Sequence, residues 1–196
     1  MFCDIPTLEM IQQLPVALFE GEIFEVRTPV EASIALDQLS GETLLGFDTE
    51  TRPCFSHYEA RHKTALLQLA SQAKAFLFRL AYCGFSTRLA SLLTNPQVLK
   101  VGVAVKDDIR GLMAYRSFVP AGFVDLQKMV GPLGIQEKSL RKMAATVLNL
   151  RLSKGQQLSN WDNRFLTQAQ RQYAALDAYI CREIYLKLRE YTKSID

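Results

Sequence analysis

Hydrophobic and polar positions alternate in some stretches of the chain and recur at three- and four-residue spacing in others, which separates strands from helices. Ile23 to Arg27 alternates like a strand. Leu44 to Thr51 is an apolar run that ends in two carboxylates. Ala65 to Ala70 and Ala75 to Leu80 predict two strands around a short turn, and with the Leu44 strand they make an antiparallel meander. Val98 to Val105 is almost continuously apolar and rich in valine, as in a strand buried on both faces. Phe123 to Val130 predicts a short strand passing into a helix.

Helices announce themselves by their caps. Thr7 caps a short helix through Leu14, stopped by Pro15. Thr28, Pro29 and Glu31 form a capping box with proline at the first helical position, for a helix to about Ser40 and a stop at Gly41. Ser86 to Leu93, Lys106 to about Tyr115 and Ser139 to Asn149 predict further helices. Thr167 and Gln170 form a second capping box, and helical periodicity then runs to about Tyr191. Arg151 to Phe165 is long and polar, a candidate mobile loop, and Arg52 to Lys63 is a polar, aromatic-containing loop. The order of elements predicts an α/β fold with a mixed sheet.

With 196 residues the chain is long enough for one domain with a substantial core, and at 48% hydrophobic residues it suits a soluble globular protein. No apolar run is long enough for a membrane span, and no basic n-region leads into an apolar h-region, so neither membrane partner nor signal peptide is expected. Four cysteines without a CxxC pair argue against a zinc site and fit reduced thiols in a cytoplasmic location. A net charge of +3 permits a polyanionic partner without demanding one.

The carboxylates sharpen the picture. On a strand the side-chain period is two, so Asp48 and Glu50 share a face with Gly46, while Leu45 and Phe47 turn to the core. Like charges so placed raise each other's pKa, and a divalent cation between them relieves the repulsion. In the last helix Tyr173, Leu176, Ile180, Ile184 and Leu188 form the apolar stripe, and Asp177 lies on it one turn after Tyr173. A carboxylate there is costly unless a cation or hydrogen bonds satisfy it. Asp108 follows a buried strand, one turn before Leu112. Each aspartate also has a structural reading, as a helix cap or a satisfied buried acid. Together, four carboxylates from distant parts of the chain can hold two divalent ions for attack on phosphorus.

Three motifs carry a resemblance: Phe47-Asp48-Thr49-Glu50-Thr51, Lys100 to Leu112, and Tyr173-Ala174-Ala175-Leu176-Asp177-Ala178-Tyr179. From about Phe24 to Leu188 the chain resembles the DEDD 3′-5′ exonucleases, in the tyrosine subclass and its ribonuclease D and Werner-helicase exonuclease subgroup. Ser159-Asn160-Trp161-Asp162 and Leu166 to Gln170 also resemble that subgroup. The resemblance implies a ribonuclease H-like fold and one exonuclease domain over residues 1–196, with 1–22 as an N-terminal extension. It implies two Mg²⁺ or Mn²⁺ ions held by Asp48, Glu50, Asp108 and Asp177, and a water positioned by Tyr173. Either Asp107 or Asp108 can fill the second motif; Ile109 and Leu112 favour Asp108. The partner implied is a single-stranded 3′ end of DNA or RNA, and no second nucleic-acid domain is expected in the chain, which leaves room for an accessory or processivity partner. Thr49, Gln68, His57, Lys154, Trp161 and Arg164 are expected strand contacts; Trp161 either stacks on a base or packs in the core. An inactive nucleic-acid-binding module of the same fold, and a two-metal hydrolase of small nucleotides, remain open alternatives.

Overall fold

A computed structural model describes residues 7–56, 62–136, 138–153 and 155–193. The chain opens with helix α1 (Leu8–Gln13), capped by Thr7, and strand β1 (Glu22–Val26). Helix α2 (Pro29–Gln38) starts at the expected capping box, with Thr28 and Glu31 satisfying each other's backbone amides. Then come the meander strands β2 (Leu44–Thr51), β3 (Thr64–Ala70) and β4 (Lys74–Arg79). Helices α3 (Leu80–Cys83) and α4 (Thr87–Thr94) lead to β5 (Leu99–Gly102) and α5 (Val105–Met113). Strand β6 (Phe123–Asp125), α6 (Leu126–Val130), α7 (Leu140–Met143) and the long α8 (Gln168–Lys193) complete the order. No helix among the described residues is long and apolar enough to cross a membrane.

The six strands make one mixed sheet in the order β1-β4-β3-β2-β5-β6. The β2-β3 and β3-β4 pairs are antiparallel, as the meander requires, and β1-β4, β2-β5 and β5-β6 are parallel. Helices α2, α4 and α5 cover one face, where Leu45, Phe47, Leu67 and Leu69 are buried. Helix α8 covers the other with Ile180, Ile184 and Leu188, each at most 1% exposed. Burying such a side chain contributes about 2 kcal/mol, so α8 is fixed on the sheet mainly by this stripe.

Three local features differ from the sequence-based expectation. Strand β5 ends at Gly102 rather than Val105, because Ala104 adopts a left-handed conformation (φ 54°) and starts the turn into α5. The helix expected over Ser139 to Asn149 is α7 followed by a π-helical turn, Ala144–Leu148, which ends at a left-handed Asn149. The polar segment after it carries anchors at both ends. Arg151 exchanges backbone hydrogen bonds with Pro15 and Ala17, at 2.8 and 2.9 Å. At the other end the buried Arg79 guanidinium, paired with Glu25 at 2.7 Å, donates to the carbonyls of Trp161 and Asn163.

Candidate active site

Strand alternation sets the acid face: Gly46, Asp48 and Glu50 look toward α8. Gly46 is the reason α8 comes so close. A Cβ at that position would stand 1.8 Å from the Ala178 carbonyl oxygen. The helix backbone therefore rests on the strand two residues before Asp48, and Asp177, the neighbour of Ala178, is delivered beside the strand's carboxylates. One oxygen each from Asp48, Glu50 and Asp177 all lie within 4.8 Å of one another.

Burial and mutual repulsion dominate the electrostatics. Burial, then the charges of Asp177 and Asp108, hold Asp48 well above the ordinary carboxylate range. Burial, then the charges of Asp48, Asp177 and Asp108, push Glu50 up to about 9. Asp177 is raised to about 7, mainly by burial, against the stabilising hydrogen bond it accepts from the Tyr173 phenol. Tyr173 in turn holds its proton well above the usual phenol value, through burial and the nearby carboxylates. Three oxygen ligands so crowded fit a hard divalent cation, whose charge would remove this repulsion.

Asp108 stands apart from that triad, so of the four carboxylates expected to hold the ions three have oxygens within 4.8 Å of one another. The reason is topological: α5 lies on the sheet face opposite α8, and Asp108 reaches the site past the end of β5, beside the second half of β2. There its Oδ1 accepts a 2.5 Å hydrogen bond from the Thr49 hydroxyl. Its charge still raises the pKa values of Asp48 and Glu50. Asp107 points to solvent and pairs with Arg110 at 2.9 Å.

The expected strand contacts fare differently. The Thr49 side chain is spent on Asp108, and its amide on Asp48 Oδ1. Gln68 faces Asp48 across the β2-β3 ladder but is completely buried, and its amide finds no hydrogen-bond partner among the described residues. Trp161 takes the core role: it is completely buried with Leu66, Leu77 and Leu166, leaving no ring face for a base. Arg164 is exposed, its guanidinium 5.4 Å from the Phe165 ring centre. His57 and Lys154 lie outside the described residues.

The cleft over the acids measures about 300 Å³. Its far wall, which the sequence does not reveal, is built from α7 and the segment after the π turn, with Ser139, Arg141 and Gln157. Arg141 is the single cation among these lining residues, and its Nε is fixed by the Leu152 carbonyl at 3.1 Å. Periodicity alone does not reveal it, because only the turn back across the sheet sets this arginine opposite the acids.

A family model described as 3′-5′ exonuclease matches residues 23–193. The chain belongs to the 3′-5′ exonuclease family. It is 34% identical over 157 residues to the mouse bifunctional 3′-5′ exonuclease/ATP-dependent helicase WRN, a match covering 77% of this chain and 11% of that protein. It is 30% identical over 165 residues to ribonuclease D of Haemophilus influenzae, covering 83% of this chain and 40% of that one. The chain thus spans less than half the length of either relative. In fold it resembles the Nibbler EXO domain of Aedes aegypti, with a TM-score of 0.81 at 22% identity, over 93% of this chain and 94% of that one. The α/β architecture with a mixed sheet, ribonuclease H-like, is that of this exonuclease family.

Proposed function

We propose that this chain hydrolyses phosphodiester bonds at single-stranded 3′ ends of nucleic acid, one nucleotide at a time, releasing nucleoside 5′-monophosphates. The observation that carries the reading is the triad of carboxylate oxygens within 4.8 Å, beside a phenol, in a cleft of a chain from this family. Asp48, Glu50 and Asp177 would hold Mg²⁺ or Mn²⁺, two ions in all, with Asp108 adding its charge from the side. When bound there, such ions activate a water and neutralise the charge that develops on phosphorus and on the leaving 3′ oxygen. The chain's own groups do the rest. Asp48 and Glu50 are fixed by the strand, and Asp177 by the helix that rests on Gly46. Thr49 steadies Asp108. Arg141, across the cleft, faces the substrate's phosphate. Tyr173 is a donor and an orienting group rather than a base, because its proton is held so tightly.

A 5′-labelled single strand incubated with Mg²⁺ should shorten from its 3′ end as a one-nucleotide ladder, and EDTA should abolish it. Internal cuts, or release from the 5′ end, would remove the proposed polarity. A small-nucleotide hydrolase would leave the strand intact.

Tyr173→Phe keeps every carboxylate and removes the phenol's hydroxyl. Its turnover should fall about a hundredfold or more, the usual scale for a positioned proton donor, while metal still raises its melting temperature. Near-normal turnover would deny the phenol a chemical role. Asp107→Ala, at a solvent-exposed ion pair, should change activity less than about twofold. Asp108→Ala should cost about a hundredfold or more through the lost electrostatic contribution. The reverse ranking in a side-by-side assay would put Asp107 in the site.

A further inference from the structure

A second pocket, of about 210 Å³, opens against the acid cleft and shares Ser153 and Tyr173 with it. On α8, Ala169, Tyr173 and Leu176 form one stripe, and Tyr173, Asp177 and Cys181 the next. Tyr173 is thus the common wall, with acids on one side and an apolar slot on the other. The slot's outer wall is Val16, Leu18 and Phe19, from the segment before β1. That segment lies outside residues 23–193, the span the family model matches. It is held in place rather than draped. The amide of Ala17 bonds the carbonyl of Arg151 at 2.9 Å, the amide of Arg151 bonds that of Pro15 at 2.8 Å, and the Phe19 ring sits 5.1 Å from Tyr179. Yet Leu18 remains 69% exposed and Val16 48% exposed at the rim, an apolar edge with nothing over it among the described residues.

We propose that this pocket takes one nucleobase of the strand whose phosphate lies in the acid cleft, and so sets the register of the 3′ end. The inference rests on the exonuclease reading above. No cation lines the slot among the described residues. It presents apolar walls and two aromatic rings, Phe19 and Tyr173, with Gln172 and the amide nitrogen of Gln156 available to a base edge, while Gln156 Oε1 accepts from the Ser159 hydroxyl. This suits a flat base of any identity, since stacking is tolerant of sequence. A base is tied to its phosphate through one sugar, and the pocket meets the acid cleft at Tyr173 and Ser153, so a single nucleotide can reach both.

The test uses single strands with one abasic residue at the first, second, third or fourth position from the 3′ end. KM and kcat are measured with Mg²⁺, and equilibrium binding in EDTA. One position is expected to raise KM and weaken binding about tenfold, within the usual worth of one stacked base, with kcat changed far less. Ala169→Phe fills the slot from the exposed side of α8. It should raise KM for the intact strand to the same level, and the abasic residue should then cost nothing more. Equal affinity for all four abasic strands, or a penalty that persists undiminished in Ala169→Phe, overturns the pocket. Position-specific binding without cleavage upholds the pocket and sinks the exonuclease reading; cleavage without any position-specific penalty does the reverse. A strand neither bound nor cut overturns both.

Discussion

Gly46→Ala is expected to cost the protein about 3 kcal/mol or more and most of its activity. The added methyl would sit 1.8 Å from the Ala178 oxygen and 2.6 Å from its carbonyl carbon. Both are backbone atoms of α8, so no side-chain rotation relieves the clash. The whole helix must lift, and it is buried against the sheet through Ala174, Ala178, Ile180 and Ile184. Overpacking that a side chain can accommodate costs about 1–3 kcal/mol, and a helix that must move belongs at or beyond the top of that range. For a chain of this size each kcal/mol lowers the melting temperature by about 2–4 °C, so a fall near 10 °C is expected. A displacement of about 1 Å at a reacting group is enough to cost a hundredfold, and here Asp177 moves away from Asp48 and Glu50. Gly41→Ala is the control, since a Cβ there meets nothing within 4 Å. Equal melting and activity of the two variants would mean that α8 does not depend on Gly46.

Asp177→Asn should do the opposite to stability while still ending activity. In the metal-free protein, Asp48, Glu50, Asp108 and Asp177 all have pKa values raised above those of the unfolded chain. These four groups therefore hold more protons in the folded state than in the unfolded one, and their contribution to stability falls with rising pH. The favourable contribution is full below about pH 4, where both states are protonated. It is lost as pH climbs through about 7 for Asp177 and about 9 for Glu50. Without metal, the wild type should melt lower at pH 9 than at pH 5. Asp177→Asn removes one charge from the cluster at almost constant shape, so its decline should be shallower. At neutral pH it should melt as high as the wild type or higher. Its turnover should fall about a thousandfold, the upper range for a lost electrostatic group. Stability gained at the expense of activity is common where function requires crowded charge. A pH series of melting curves in EDTA reads both slopes, and an equal slope in the two proteins would show that Asp177 does not belong to the cluster.

The parts legible in the sequence were those governed by local rules. A strand's period of two put Asp48 and Glu50 together, and the helical period put Tyr173 one turn from Asp177 on a core-facing stripe. The capping boxes at Thr28 and Thr167 fixed the starts of α2 and α8. What the pattern did not carry depends on which elements meet. Asp108 belongs to the second motif, between the two that carry the triad, but arrives from the other face of the sheet, so its carboxylate goes to Thr49. Trp161 lies in a polar stretch that reads as open loop. It is buried because Arg79, 82 residues earlier, pulls that stretch onto the sheet. Gln68 alternates with apolar neighbours like a half-exposed strand residue, yet β3 is central and covered on both faces. Arg141 and the wall at Val16 to Phe19 belong to segments whose place is set only by contacts with α8 and with Arg151.

The claim that Asp48, Glu50 and Asp177 form a divalent-metal site is tested most directly by melting the wild type and Asp177→Asn at neutral pH, each in EDTA and in millimolar Mn²⁺. At a hundredfold excess over Kd the ion stabilises the folded protein by about 2.7 kcal/mol, equivalent to about 5–10 °C here. The wild type should rise by that amount and Asp177→Asn by much less, from an EDTA value no lower than the wild type's. If Mn²⁺ shifts neither curve, and Asp177→Asn melts well below the wild type in EDTA, the acids are structural and no metal binds between them.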